Sequence, residues 1–146
     1  MWLLIACLVA MALVIFLLVP ALVHRAAAPV LEKRIAQVYP ADRIVIQDRK
    51  ASSFGLESRG VTQARGNGAL VLTATSLHWF QLVPEWDLGI PLANVAKAGK
   101  TKWHLGKSIG RDVLHVAFTL DGRADSMAWY VTDLEAWLSK LSELIR

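Results

Sequence analysis

The chain has 146 residues, room for one ordinary domain, and a formal net charge of +4. Its single cysteine, Cys7, excludes an intramolecular disulfide, so the fold does not depend on an oxidising compartment. Hydrophobic residues make up 55% of the chain, above the ~45–50% of ordinary globular proteins, and the excess is local.

Residues 2–23, from Trp2 to Val23, carry no charged side chain, and all the Lys, Arg, Asp and Glu residues follow them. At ~1.5 Å rise per residue this run extends about 33 Å as a helix, slightly more than the ~30 Å hydrocarbon core of a bilayer. It predicts one transmembrane anchor over 1–23, with Trp2 at one interface and His24 and Arg25 at the other. A cleaved signal peptide is the rival reading. It would want a basic leader and an apolar run of only ~7–15 residues. Here only Met1 precedes the run, and Pro29 follows the cleavage-like Ala26-Ala27-Ala28. Arg25, Lys33, Arg34 and Arg43 follow the helix and no basic residue precedes it. A single-pass protein of the cell membrane is therefore expected, with its C-terminal domain in the cytoplasm.

Residues 24–42 read as a juxtamembrane stalk. Pro29 suits the first turn of a short helix, Leu31, Ile35 and Val38 recur at helical spacing, and Pro40 ends it. From 43 to 146 the period becomes two. Ile44 and Ile46 alternate with Val45 and Gln47, and Asn67-Gly68 signals a tight turn into Leu70–Ala74. Strands follow over Leu77–Val83, Leu88–Val95, Val113–Thr119 and Ala124–Val131, with Asp121-Gly122 turning the chain between the last two. Thr132-Asp133-Leu134-Glu135 has the form of a capping box. It opens an amphipathic helix whose apolar face holds Leu134, Trp137, Leu138, Leu141, Leu144 and Ile145. The expected fold is mainly β with a C-terminal helix: a small antiparallel barrel or sandwich of about seven strands, a barrel being closed at one end by that helix.

Two segments carry a resemblance. Gly68-Ala69-Leu70-Val71-Leu72-Thr73-Ala74-Thr75-Ser76-Leu77-His78-Trp79 is similar to the signature of GRAM domains, a branch of the pleckstrin-homology-like (PH-like) superfold, except that Ser76 replaces a basic residue. Ile90-Pro91-Leu92-Ala93-Asn94-Val95 resembles the element that follows it. The resemblance covers about residues 43–145 and implies a non-enzymatic module that binds lipid headgroups or protein partners. Fold alone does not fix function.

The remaining chemistry is sparse. Gly106-Lys107-Ser108-Ile109-Gly110 overlaps a P-loop ending and a nucleophile elbow. The first lacks its leading glycine, with Thr101 in that place, and the second needs a large α/β sheet that this domain cannot supply. A turn between strands accounts for the glycines. His78, His104 and His115 fall on separate expected elements, so no metal site and no cofactor is expected. The most informative run is basic: Lys97, Lys100, Lys102, Lys107 and Arg111, with Trp103 interleaved and no acid from 88 to 111. It reads either as a solvated hairpin or as a face for anionic headgroups or an acidic protein. No recognition helix or stacking motif points to nucleic acid. The sequence thus predicts a tethered, non-enzymatic binding or scaffold module with an unidentified protein partner, or alternatively a lipid-binding domain acting through Lys97–Arg111.

Overall fold

The computed structural model describes residues 1–145, with His24 described by its backbone alone. The expected interfacial role of the His24 side chain, and Arg146, lie outside the described residues. One α-helix, α1, runs unbroken from Trp2 to Val38. It crosses the boundary drawn at 23/24, so the expected anchor and the expected stalk are one continuous helix. Pro20 and Pro29 lie inside it. Each removes one backbone donor from the helical ladder. The side chains described over residues 2–23 are uncovered by the rest of the protein, and α1 is long and apolar enough to cross a membrane.

Seven strands follow: β1 (Ile44–Leu56), β2 (Gly66–Thr73), β3 (Ser76–Gln81), β4 (Trp86–Pro91), β5 (Val95–Thr101), β6 (Val113–Leu120) and β7 (Arg123–Tyr130). They form one antiparallel sheet in the order β4-β3-β2-β1-β7-β6-β5. The expected closure into a barrel is not shown by the strand pairing. Among the described residues β4 and β5 stand at opposite edges and share no ladder. The chain passes between them through Pro91, which lacks an N–H, and a single 3-10 turn over Leu92–Asn94. The two halves of the sheet nevertheless share one core, where Leu70, Leu72, Trp79 and Ile90 meet Leu114, Val116, Phe118, Met127 and Trp129. The C-terminal helix α2 (Leu134–Leu144) adds Trp137 and Leu141 to that core, both fully buried as its spacing predicts.

Two local readings are corrected. The N-cap of α2 is Asp133, whose carboxylate accepts from the Ala136 N–H at 3.0 Å, and not Thr132. The Thr132 N–H instead donates to Asp48, which also accepts from the Lys50 N–H at 2.8 Å. That half of the box is therefore spent tying α2's entry to β1. Second, Asn67-Gly68 makes no turn, because it lies inside β2, paired with β1 and β3. The glycines there answer a packing demand. A Cβ on Gly68 would come within 1.9 Å of the Phe80 carbonyl oxygen, and one on Gly66 within 2.0 Å of the Gln81 side chain. Asp121-Gly122 is the turn the sequence predicts, with φ of 50° and 73° as a type I′ hairpin requires.

Candidate functional site

The outer face of β2 and β3 presents Ala69, Val71 and Phe80, and α1 covers it with Leu31 and Ile35. All five are buried. Arg34, on the same stripe of α1, donates from Nη1 to the Gln81 carbonyl at 2.7 Å and from Nη2 to that of Trp86 at 3.4 Å. Its guanidinium also stands 5.7 Å from the Phe80 ring centre. Glu32 pairs with Arg49 of β1. Just past the helix end, the Tyr39 hydroxyl lies 2.9 Å from His78 Nδ1 and 3.0 Å from Ser76 Oγ. His78 stacks on Phe80 and places Nε2 3.0 Å from Asp87 Oδ2. Burial holds its imidazole below the ordinary histidine range, against the opposing pull of Asp87. The rod is therefore locked to the sheet by apolar, ionic and hydrogen-bonded contacts together. Ser76, where the GRAM pattern has a basic residue, is part of this lock.

The basic run does not form one face. Lys97 pairs in register with Ala117 and Lys100 with Leu114, three residues apart on β6, so the two lysines project from opposite sides of the sheet. Lys97 lies on the outer side with His115. Lys100 reaches Glu135 of α2 at 3.4 Å. Lys107 turns inward and donates to the carbonyls of Phe54 and Val61, both at 3.3 Å, fastening its hairpin to the end of β1. Arg111 stands over Tyr130. Lys102 and Trp103 are exposed, Trp103 at 67%. Only this last pair stands free at one place.

The glycines of 106–110 are explained by turn geometry. His104 and Lys107 exchange both backbone hydrogen bonds around Leu105 and Gly106, whose φ values are 51° and 72°. Ser108 Oγ accepts from the Gly110 N–H at 3.1 Å. This hairpin brings His104 within 5.4 Å, ring centre to ring centre, of His115, a pairing the sequence does not disclose. They border an open cleft with Glu57, Asp125 and Ser126. His104 Nε2 is engaged by the Gly55 carbonyl at 2.9 Å, and Glu57 by the Ser126 hydroxyl. Burial lowers both imidazoles from the usual value, and His104 further opposes protonation of His115. Among the described residues no group of three or more His, Cys, Asp or Glu side chains is arranged to hold a metal.

No family model matches the sequence, and no curated protein matches it. Similarity lies in the fold. A chain of the solved structure of the 8S snRNP assembly intermediate superposes with a TM-score of 0.56 at 13% identity, over 73% of this chain and 84% of that one. At that identity the likeness concerns the fold alone.

Sequence reasoning missed Arg34, Tyr39 and Arg49 as members of a shared junction. A signal was present for Arg34, which follows Leu31 by three residues and precedes Val38 by four on one helical stripe. Arg49 and Lys50 gave none, because they sit where the β1–β2 register shifts between Asp48 and Ala51.

Proposed function

We propose that this chain is a membrane-tethered, non-enzymatic binding module, in which α1 crosses the bilayer and holds a PH/GRAM-like domain rigidly against its cytoplasmic face. The observation that carries the reading is the division of α1: its first part is apolar and uncovered, and its last turns are locked on the sheet through Leu31, Arg34 and Ile35. Such rigid seating suits a module that presents a surface at a fixed height above the bilayer. The order of seven antiparallel strands and one C-terminal helix supports the PH-like reading, as do buried Ile90, Leu92 and Val95 in the second resembling segment. The basic residues after the anchor favour the cytoplasmic side.

The reading is tested in intact cells and membranes. The chain is expected to stay with the membrane in alkaline carbonate, and its domain to survive protease added outside the cells. Release by carbonate would remove the tether, and digestion from outside would reverse the orientation. Labelling of Ser108 by a fluorophosphonate probe, or hydrolysis lost on Ser108→Ala, would overturn the non-enzymatic assignment.

A further inference from the structure

The lock between α1 and the sheet leaves a cleft of about 220 Å³ on the anchor side of Leu31. Its walls are mostly apolar: Ala27, Ala28 and Leu31 from α1, and Leu82 just past the end of β3. Arg49 and Lys50 stand at its rim. They are brought there by the irregularity in β1, which the buried Asp48 carboxylate fixes by accepting from the Lys50 N–H. Arg49 is balanced by Glu32, whereas Lys50 has no acidic partner among the described residues.

The depth of the cleft follows from the helix. Ala27 and Ala28 lie four and five residues past Val23, where the apolar run ends. At ~1.5 Å per residue they stand about 6–8 Å beyond the hydrocarbon edge. The headgroup layer of one leaflet is itself about 5–8 Å thick. On that placement the cleft lies at phosphate depth, with the unbalanced Lys50 ammonium among its lining residues.

We propose that this cleft, lined by Ala27, Ala28, Leu31 and Leu82 and rimmed by Arg49 and Lys50, binds the headgroup of an anionic phospholipid from the leaflet that α1 crosses. The site is built from anchor and domain together, and it differs from the Lys97–Arg111 run, whose charges the fold divides. It rests on α1 spanning the bilayer.

The test uses the full chain reconstituted into vesicles of phosphatidylcholine and phosphatidylglycerol, extracted in mild detergent, with the retained lipid measured by mass spectrometry. The wild type is expected to retain phosphatidylglycerol several-fold above its share in the vesicle. Lys50→Gln, an exposed substitution that leaves the packing intact, should lower the enrichment several-fold. Ala28→Phe, which fills the cleft without altering charge, should abolish it, and Lys102→Gln should leave it unchanged. No enrichment in a wild-type chain that resists carbonate extraction overturns this inference and leaves the tether standing. A chain that fails to insert overturns both. Enrichment that survives Ala28→Phe but falls with any lysine would mark diffuse surface attraction and overturn the site. Competition by excess inorganic phosphate would assign the site to a free anion and overturn the lipid.

Discussion

Leu31→Ala is expected to loosen the seat of α1 on the sheet. Leu31 is 2% exposed, packed with Ile35 against Ala69, Val71 and Phe80. Burial of a leucine contributes about 1.5–3 kcal/mol, and Leu→Ala changes in closed cores cost about 2–5 kcal/mol. This contact lies at the margin of the domain, beside an existing cleft, where the helix can settle into the gap. The lower part of that range applies, about 2–3 kcal/mol, which raises the undocked population roughly 30- to 150-fold. A thiol placed beneath the helix reads that population. With Cys7 replaced by Ala, Val71→Cys puts a residue of similar volume at a position fully covered by α1, and its maleimide labelling rate follows the fraction of time the helix is lifted. Leu31→Ala should accelerate labelling by that factor, while Val38→Ala, at the exposed last position of the same helix, should not. Rapid labelling of Val71→Cys with Leu31 intact, or a rate indifferent to Leu31, would refute the locked junction.

Trp137→Ala should cost about 3–5 kcal/mol, since the ring is 1% exposed in the shared core, and chemical denaturation of the detergent-solubilised chain measures the loss. Gly68→Ala should destabilise by about 1–3 kcal/mol through its collision with the Phe80 carbonyl, whereas Gly99→Ala, with nothing within 4 Å of the new Cβ, should be neutral or slightly stabilising. Stability should also fall on acidification. The folded chain holds His78, His104 and His115 below the ordinary value of 6.5, so the unfolded chain takes up protons first. The contribution is complete above about pH 7.5 and declines as the pH falls through 6.5 toward the lower folded-state values. Denaturation midpoints across that range should show the decline, and His104→Gln with His115→Gln should flatten it; an unchanged slope would refute the assignment.

What the sequence disclosed and what it hid divide along a physical line. The apolar run to Val23, the buried stripe of α2 and the Asp121-Gly122 hairpin are local patterns, each decided by residues within a few positions of one another. Asn67-Gly68 carries the same local signal as a hairpin, yet the glycine is demanded by Phe80 across the ladder, a partner twelve residues away that no dipeptide rule can see. Pro29 signals a helix start, but it lies inside a continuous helix whose following turns, through Leu31 and Arg34, meet the sheet. The basic run looked like one surface because its charges are close in sequence. Strand alternation and the inward turn of Lys107 separate them, and only the finished fold decides that. The pairing of His104 with His115 needs both the hairpin and the β5–β6 register. The Arg49–Lys50 rim needs an irregular strand, which sequence pattern does not announce.

With α1 spanning the bilayer as proposed, its continuity gives bilayer thickness a mechanical meaning. An apolar run of about 33 Å stands upright in a membrane whose core is equally thick and leans by about 35° in one of about 27 Å. Because the last turns of the same rod are fastened to β2 and β3, the domain has no joint at which to absorb that change. Its whole surface must pivot with the anchor, bringing one flank down toward the lipid and lifting the other away. Thin and thick membranes would therefore expose different sides of the same folded domain to whatever approaches it, without any rearrangement inside the domain.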